Sequence, residues 1–468
     1  MKLLKYLSFL ILLSSCSQKA LDEIDTDPNN PADVSVKLMM PVVTASVPYY
    51  ICGSDLAWYS SVLAEQTAGT LGTLYSIDQR QNINSTLSEN IWRSLYTGTL
   101  MDLHTLIEKA TEEKMWKHVG VAQVLMAFSM GAVTDTWGRV PYSQAFKGNQ
   151  NRNPSYDYQF QIYDSLQNLL NYALVNLSKT SNITLGKEDL IYDGDTTLWI
   201  KAAYGLKARF YNRMAKLDAT KAIFALAYAE KSFTSQSESM IFDKWTGTSD
   251  KDHQNPWYRA IIEVRGFSVS ETFYNLLNSM QDPRINYFFS PPAGSTTQVA
   301  ARNGLASEDA SGVKYSKISE NVIYPEVGLP LITWEEIKFI EAECNLRLNK
   351  PNLANLAYEQ AVTSALTRYI TEAEKHDYFS KGLSIAFPGQ SNLTINHIIR
   401  QKLIALWPMQ SVEAYVEVRR TGYPTMLNPL SAPPRRFPYP QNELSANGAN
   451  VPSVALTNGV AWDDGSDD

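Results

Sequence analysis

The sequence has few cysteines, little excess charge and no long hydrophobic run. Three cysteines in 468 residues, without the Cys or His spacing of zinc ligands, argue against a framework built on disulfides or metal, and Cys52 and Cys344 are predicted to be buried free thiols. A formal net charge of −7 without a basic stripe argues against nucleic-acid binding. Because no stretch reaches about 18 uncharged apolar residues, a transmembrane anchor is not predicted.

Motifs of the common catalytic sites are also missing. The five histidines show no H-E-x-x-H spacing, and there is no G-x-S-x-G, Walker A or dinucleotide-binding motif. Glu336 is expected to serve a helix cap, while Glu335, Glu341 and Glu343 are expected to follow the polar face of the same helix. The acidic end, Asp463–Asp468, lacks the loop of an EF-hand and is predicted to be solvated. We therefore predict no enzyme, cofactor or metal site.

The N-terminus has the features of a bacterial lipoprotein signal. Lys2 and Lys5 precede an apolar run, Leu7–Leu13, that is too short to span a bilayer. The following tetrapeptide, Leu13–Cys16, resembles the lipobox, in which small residues precede a lipid-modified cysteine. We therefore predict a signal peptide over residues 1–15, lipidation at Cys16 and a linker over residues 16–34. The alternative is an ordinary secretory signal with a chance cysteine.

Helical periodicity is abundant in the rest of the chain. Residues 333–368 predict two helices joined by a turn at Asn349–Asn352, with a Thr333–Glu336 capping box. Small and aromatic residues recur at the spacing of tetratricopeptide repeats at Ala342, Ala354, Tyr358 and Ala361. One such hairpin cannot bury its own apolar faces, so other helix pairs must stack on it. The predicted fold class is mainly α, with tetratricopeptide-like helix pairs forming a solenoid-like scaffold in a single domain, 35–468.

The same periodicity places further helices on both sides of this hairpin. They are predicted over Val36–Ala68 (interrupted by Pro41 and Pro48), Thr86–Ala110, Met115–Val133, Ser155–Leu177, Asp195–Leu217, Thr220–Phe233, Ser270–Met280 and Thr394–Arg420. The helix at Met115–Val133 is expected to be closely packed and buried.

Helical periodicity fails between about residues 240 and 329. Loops as long as Lys244–Ala260 and Ser290–Gly312 are uncommon in a compact domain and are often functional. The chain is rich in tryptophan and tyrosine, whose rings suit ligand contact. The predicted ligand-binding residues in this insert are Trp245, Asn255, Trp257, Tyr258 and Arg259, and a second, separate pair is Tyr75 and Arg80. The alternative is that these rings pack the loop onto the helical body.

Several short motifs carry a family resemblance along nearly the whole chain. They are Asp27–Pro31, Val133–Tyr142, Asp189–Tyr192, Trp199–Lys201, Leu206–Arg209, Asp282–Arg284, Ile337–Glu343 and Arg435–Gln441. On these motifs and the lipobox, the chain resembles the SusD/RagB-like nutrient-binding outer-membrane lipoproteins of Bacteroidetes. Their residues also have structural interpretations: Trp137 is expected to seal a helix end, Asp282 and Arg284 to clamp a loop, and Phe437–Gln441 to lie extended over helices.

The resemblance implies a location and partners. Cys16 would carry lipid such as palmitate, and the protein would lie at the outer face of the outer membrane. It would deliver oligosaccharides or peptides to a TonB-dependent, SusC-like β-barrel transporter. The long loops would bind the ligand, while the helical repeats would meet the transporter through exposed charges such as Glu335, Lys338 and Arg347. Two alternatives stay open, a glycosidase-type surface hydrolase and a protein-interaction module without a small ligand.

Overall fold

The structure is a computed structural model that describes residues 34–430 and 432–466. The predicted signal peptide, Cys16 and the predicted linker up to residue 33 lie outside the described residues. The α-helices are α1 Val36–Cys52, α2 Asp55–Leu63, α3 Gly72–Asp78, α4 Glu89–Arg93, α5 Leu100–Glu112, α6 Trp116–Trp137, α7 Gln159–Ser178, α8 Thr196–Met214, α9 Thr220–Ala229, α10 Pro256–Arg259, α11 Glu271–Ser279, α12 Ile285–Phe288, α13 Trp334–Arg347, α14 Pro351–Thr367, α15 Glu372–Ser380, α16 Ile395–Leu406, α17 Ser411–Thr421, α18 Gln441–Ala446 and α19 Ala461–Asp464.

Short elements fill the connections between these helices. Single turns of 3₁₀-helix occur at Ser85–Ser88, Gly148–Gln150, Gln236–Glu238 and Lys251–His253, and π-helical turns at Ser94–Thr99 and Ala260–Val264. The strands form two-stranded antiparallel sheets, which pair β1 Thr67–Gly69 with β3 Phe267–Val269, β2 Met240–Phe242 with β6 Leu329–Ile332, and β4 Phe289–Ser290 with β5 Lys317–Ile318.

The helices stack in series, which confirms the predicted solenoid-like scaffold. Consecutive helices from α5 through α9 pack on one another. Helix α9 then packs on α13, and α13 packs on α14. The loop-rich segment between α9 and α13 therefore interrupts the stack in sequence but not in space. Each added helix covers an apolar face that its neighbour alone could not bury. Buried side chains from Val36 to Trp462 form one large hydrophobic cluster.

All four carboxylates of α13 are buried, so the prediction that Glu335, Glu341 and Glu343 follow a polar outer face is wrong. The Arg420 guanidinium binds the Glu343 carboxylate through two hydrogen bonds of 2.6 Å, and Glu336 binds Arg209 at 2.7 Å. Glu335 is only 1% exposed, and Glu341 is also buried. The reason is that α8, α14 and α16 pack around α13 and cover its polar face as well as its apolar one.

The helix cap of α13 and the charges expected to contact the transporter also differ from the prediction. The Thr333 hydroxyl accepts the Glu336 N–H at 3.3 Å, but the Glu336 carboxylate is committed to Arg209 and does not complete a capping box. Lys338 binds Glu341 at 2.7 Å, and Arg347 binds Glu343 at 2.8 Å. The charges expected to face a transporter are therefore already paired within the helical body.

Three further local features differ from what the sequence predicts. The helix predicted over Thr394–Arg420 is divided into α16 and α17, because Pro408 lacks the N–H that would continue the first helix. The helix predicted to begin at Thr86 is preceded by a 3₁₀ turn, Ser85–Ser88, which is capped by Asn84, whose side chain accepts the Thr86 N–H. Asp463 is 1% exposed and accepts a hydrogen bond from Arg435 at 2.6 Å, so this part of the acidic end is buried.

Structural roles expected for the family motifs are confirmed. Trp137 is fully buried at the end of α6 and its indole N–H donates to the Pro438 carbonyl at 2.9 Å, while Phe437 is buried beside it. Arg284 binds Asp282 at 2.6 Å in a fully buried clamp. Cys52 and Cys344, the free cysteines of the described part, are both buried.

Two helical stretches are apolar and long enough to cross a membrane by composition alone. They are Val36–Leu63, whose most apolar part is half buried in the protein, and Trp116–Trp137, which is buried from His118 to its end. The second corresponds to the helix predicted over Met115–Val133 and forms the centre of the scaffold, as expected from its small residues. Phe210, for example, lies where a side chain on Gly131 would clash with its ring.

Candidate ligand-binding groove

Pairing of β1 with β3 brings together the two stretches that contain the predicted ligand-binding residues. Gly69 pairs with Phe267, so the segment that leads into α3 lies beside the segment that leaves the π-turn after α10. The contact is close, since a Cβ on Gly266 would lie 2.9 Å from the Leu74 side chain. Stretches about 190 residues apart in sequence therefore form one surface.

Trp257 and Asn255 lie beneath this surface. Both are 0% exposed. The Trp257 indole N–H donates to the Cys52 carbonyl at 2.7 Å, and Asn255 caps α10 by accepting the Trp257 N–H at 2.8 Å. Neither side chain has surface to offer a ligand in this structure. Both hold the loop against the helical body, which is the alternative considered from the sequence.

Close packing between α10 and the end of α1 creates the edge of a groove. A Cβ on Gly53 would lie only 2.4 Å from the Pro256 ring, so a residue without a side chain is required at this crossing. The groove is shallow, about 100 Å³, and is lined by Tyr49, Trp58, Pro256, Arg259, Ala260, Glu263 and Val264. Of the predicted residues, Arg259 lines it.

Two aromatic rings from the first two helices were missed by the sequence analysis. Tyr49 is 37% exposed on α1, and Trp58 is half-buried on α2 with its ring edge-on to Phe267 at 6.2 Å. Their helices were predicted as ordinary apolar helices. One signal could have found them: the aromatic pairs Tyr49–Tyr50 and Trp58–Tyr59 lie outside the apolar stripe that packs these helices.

Several N–H donors around the groove have no hydrogen-bond partner. Within the described part of the chain, the indole nitrogens of Trp58 and Trp245 and the Nε of Arg259 are out of contact with solvent and unpaired. Buried donors in folded proteins are nearly always satisfied, and exceptions call for a functional explanation. An incoming acceptor is one such explanation for Trp58 and Arg259, which line the same groove.

Charge at the groove is fixed by a small network on its rim. Arg259 Nη1 lies 3.3 Å from Asp252 and Nη2 lies 3.2 Å from Glu263, which also binds Lys251 at 2.6 Å. The hydrogen bond from Lys251 lowers the pKa of the Glu263 carboxyl, so this acceptor is ionised. Burial raises the pKa of the Tyr49 phenol, although the nearby Arg259 charge opposes that effect. The groove therefore offers aromatic surface, a fixed cation and a fixed carboxylate.

The remaining predicted residues lie around this site without lining it. Tyr75 and Tyr258 are half-buried, and Trp245 packs edge-on against Phe242 with ring centroids 5.0 Å apart. Arg80 donates to the Leu430 carbonyl at 2.8 Å and pairs with Glu65 at 3.5 Å. Arg80 thus links its loop to the C-terminal part of the chain.

A more voluminous cleft, about 420 Å³, lies elsewhere and contains none of the predicted residues. Its aromatic rings cover one another, because Tyr96 stacks between Trp92 (4.5 Å) and Phe146 (6.2 Å). The Tyr96 hydroxyl also donates to the Pro141 carbonyl at 2.8 Å. Its stacking faces are used internally, so we consider the shallow groove the better candidate for ring contact with a ligand. No group of three or more His, Cys, Asp or Glu suited to a metal ion occurs in the described residues.

Solved structures share this fold over nearly the whole chain. A SusD/RagB family protein from Bacteroides thetaiotaomicron is 26% identical, with a TM-score of 0.78 over 93% of this chain and 100% of that chain. A chitin-binding SusD homologue from Flavobacterium johnsoniae is 20% identical, with a TM-score of 0.75 over 92% of this chain and 98% of that one. A SusD homologue from Bacteroides uniformis is also 20% identical, with a TM-score of 0.73 over 91% of this chain and 99% of that one.

Sequence comparison agrees with the structural one. No curated protein is similar enough in sequence to be counted as a relative. A family model described as SusD-like, "Starch-binding associating with outer membrane", matches residues 53–440, which include the scaffold helices, the loop-rich insert and the groove-forming segments except Tyr49. The chain therefore belongs to this SusD-like family.

Proposed function

We propose that the protein is a cell-surface lipoprotein that captures nutrient oligosaccharides or peptides and delivers them to a TonB-dependent, SusC-like β-barrel transporter in the outer membrane. It binds its ligand without chemical turnover. The observation that carries the binding part is the groove in which Tyr49 and Trp58 meet Arg259 and unpaired N–H donors. Family membership and the chitin-binding relative favour an oligosaccharide over a peptide.

The chemistry of the groove suits a sugar ring. The flat apolar faces of Tyr49 and Trp58 can pack against sugar C–H groups, while hydroxyl groups accept from Arg259 and donate to Glu263. Both charged partners are oriented by their own ion pair before a ligand arrives, which lowers the entropy cost of binding. A shallow groove contacts a short stretch of a glycan and leaves both ends free for transfer.

Delivery follows from where the chain is anchored. Cys16 would carry lipid, and the linker leads directly to α1, which contributes Tyr49 to the groove. The anchor and the groove would thus lie towards opposite ends of α1, because the linker enters at its start and Tyr49 is near its end. The rigid helical stack would give the transporter a surface to dock on, while the loop-rich insert faces the ligand.

Substitution of the groove residues tests the binding part. We expect Trp58→Ala and Arg259→Ala each to weaken binding of an oligosaccharide by about tenfold or more, since each removes a ring face or a charged donor. Binding is measured by isothermal titration calorimetry of the mature chain without Cys16 against chito- and malto-oligosaccharides and short peptides. Trp245→Ala and Tyr258→Ala test the remaining part of the insert.

Tyr172→Ala is the matched control, because Tyr172 is 64% exposed on α7 and does not line the groove. If both groove variants keep wild-type affinity while circular dichroism shows them folded, the groove is not the ligand site. Release of smaller products from a bound oligosaccharide would contradict a binding function and favour the hydrolase alternative.

A further inference from the structure

A second, polar pocket lies between α11, the first turns of α16 and the segment that follows α17. Its volume is about 310 Å³. The polar residues that line it are Asn275, Ser279, Asn396, Arg400, Tyr423 and Thr425. None of them belongs to the groove or to the ligand-binding residues predicted from the sequence. The pocket is thus a separate place where a ligand could bind.

Arg400 has no acidic partner within the described residues. Its Nη2 donates to the Ser279 hydroxyl at 2.8 Å, and no carboxylate lies within ion-pair distance. Buried arginines elsewhere in the protein are better satisfied than the half-buried Arg400, since Arg420 binds two carboxylates and Arg419 donates to three backbone carbonyls. Partial burial lowers the pKa of Arg400, which means that its charge is incompletely solvated. The guanidinium therefore has unused capacity for an anion.

The Glu65 carboxylate, which contacts the pocket-lining residues Thr272 and Leu427, is already committed. Glu65 accepts the Thr272 hydroxyl and the Leu427 N–H, the latter at 2.8 Å, and it pairs with Arg80. The ionisable neighbours of Arg400 are Tyr358 and His397, and the pKa of His397 is lowered by burial and by the Arg400 charge. The pocket consequently has one fixed positive charge and no competing anion of its own.

A second unsatisfied group in the pocket is a hydrogen-bond acceptor, whereas Arg400 is a donor. Asn396 Oδ1 is buried without a hydrogen-bond partner, so it needs a donor. A ligand that satisfies both groups must carry an anion for Arg400 and a hydroxyl or N–H for Asn396. The other polar lining groups, from Asn275, Tyr423 and Thr425, suit a ligand with several hydroxyl groups.

We propose that this pocket binds the carboxylate of an acidic sugar, such as a uronic acid, with Arg400 as the carboxylate-binding residue and Asn396 as the acceptor for a sugar hydroxyl. A planar guanidinium matches a carboxylate in a two-point contact, and charge-assisted hydrogen bonds of this kind are strong. A peptide C-terminus offers the same carboxylate but no set of hydroxyls. The inference does not depend on the groove being the main ligand site.

The test compares matched small sugars on the full mature chain. Glucuronate, glucose, acetate and a short peptide with a free C-terminus are titrated and followed by ¹H–¹⁵N NMR or calorimetry. We expect glucuronate to bind about tenfold or more tightly than glucose, and Arg400→Gln to abolish that preference. Arg400→Lys should retain part of it, because the charge stays but the two-point geometry is lost.

Arg302→Gln is the control, since Arg302 is a 66% exposed surface arginine outside the pocket. It should leave the preference unchanged. The proposal is overturned if wild-type protein binds glucuronate no better than glucose, or if Arg400→Gln keeps the preference while its melting temperature is unchanged. If acetate or the peptide binds as tightly as glucuronate, the ligand is a simple carboxylate and not an acidic sugar.

Discussion

Asp78 is a buried carboxylate at the end of α3, where this helix meets the segment that contains Asn303 and Gly304. One of its oxygens accepts the Gly304 N–H at 2.7 Å and the other accepts the Asn303 amide at 3.2 Å. Burial raises the pKa of its carboxyl to about 6, although these hydrogen bonds oppose the effect. Between about pH 4 and 6 the folded protein therefore holds a proton at Asp78 that the unfolded chain has released.

This proton uptake predicts a pH-dependent stability. The contribution of Asp78 is most favourable below its ordinary pKa of 3.8 and decreases as the pH rises towards about 6. Asp78→Asn stays neutral, so the difference in unfolding free energy, variant minus wild type, should increase by roughly 2.4 kcal/mol between pH 4 and 7. Urea denaturation at a series of pH values measures it. Asp164→Asn, an exposed site on α7, is the control. A difference that is constant with pH would contradict the prediction.

The Glu343–Arg420 pair is the second residue-scale feature with a measurable consequence. Burial alone would raise the pKa of the Glu343 carboxyl, but the Arg420 guanidinium holds it well below its usual value. Arg420→Met would leave Glu343 and Glu417 buried without this partner, which should cost about 3–5 kcal/mol of unfolding free energy. Chemical denaturation measures the loss. Arg152→Met, at an exposed arginine, should stay within about 0.5 kcal/mol. A loss below about 1 kcal/mol for Arg420→Met would contradict the prediction.

At the scale of elements, the segment between α17 and α18 closes the end of α6. The Phe437 ring lies 5.7 Å from Trp137 and 5.9 Å from Tyr415, and it is 1% exposed. Because this segment has little regular secondary structure, its position depends on such contacts. The aromatic side chains therefore attach a long stretch of the chain to the scaffold.

Removal of one of these rings should weaken the attachment. We expect Phe437→Ala to lower the unfolding free energy by about 3–5 kcal/mol, through lost burial and the cavity left beside Trp137. Thermal and chemical denaturation give the change. Leu444→Ala, in α18 but 43% exposed, should have an effect within about 0.5 kcal/mol. Equal effects of the two substitutions would show that the tail is not anchored by Phe437.

Sequence periodicity predicted most scaffold helices because an amphipathic pattern is a local property. It failed at α13, where Glu335 and Glu343 have the spacing of a polar face but are covered by other helices. The groove was predicted only in part. Arg259 lines it, but its rings, Tyr49 and Trp58, come from helices whose local pattern gave no reason to expect a ligand.

At the scale of the whole molecule, the proposed lipid anchor at Cys16 can be tested directly. Cys16→Ser should abolish lipid attachment and release the protein from the membrane fraction, because a thioether to lipid needs the cysteine sulfur. Metabolic labelling with palmitate and cell fractionation measure both effects. Cys52→Ser is the control, since Cys52 is buried in the folded body. A Cys16→Ser protein that stays unlabelled but membrane-bound would point to another anchor.

The sequence by itself determined the helical class, the stacking of helix pairs, the family resemblance and the Asp282–Arg284 clamp. All of these depend on patterns within about 40 residues of chain or on collinear motifs. Only the tertiary structure decided that Trp257 is a packing residue, that the carboxylates of α13 pair with arginines from α8 and α17, and that Tyr49 and Trp58 share a groove with Arg259. The physical reason is that burial and pairing depend on which distant segments meet, and neither hydrophobic periodicity nor residue type records those contacts.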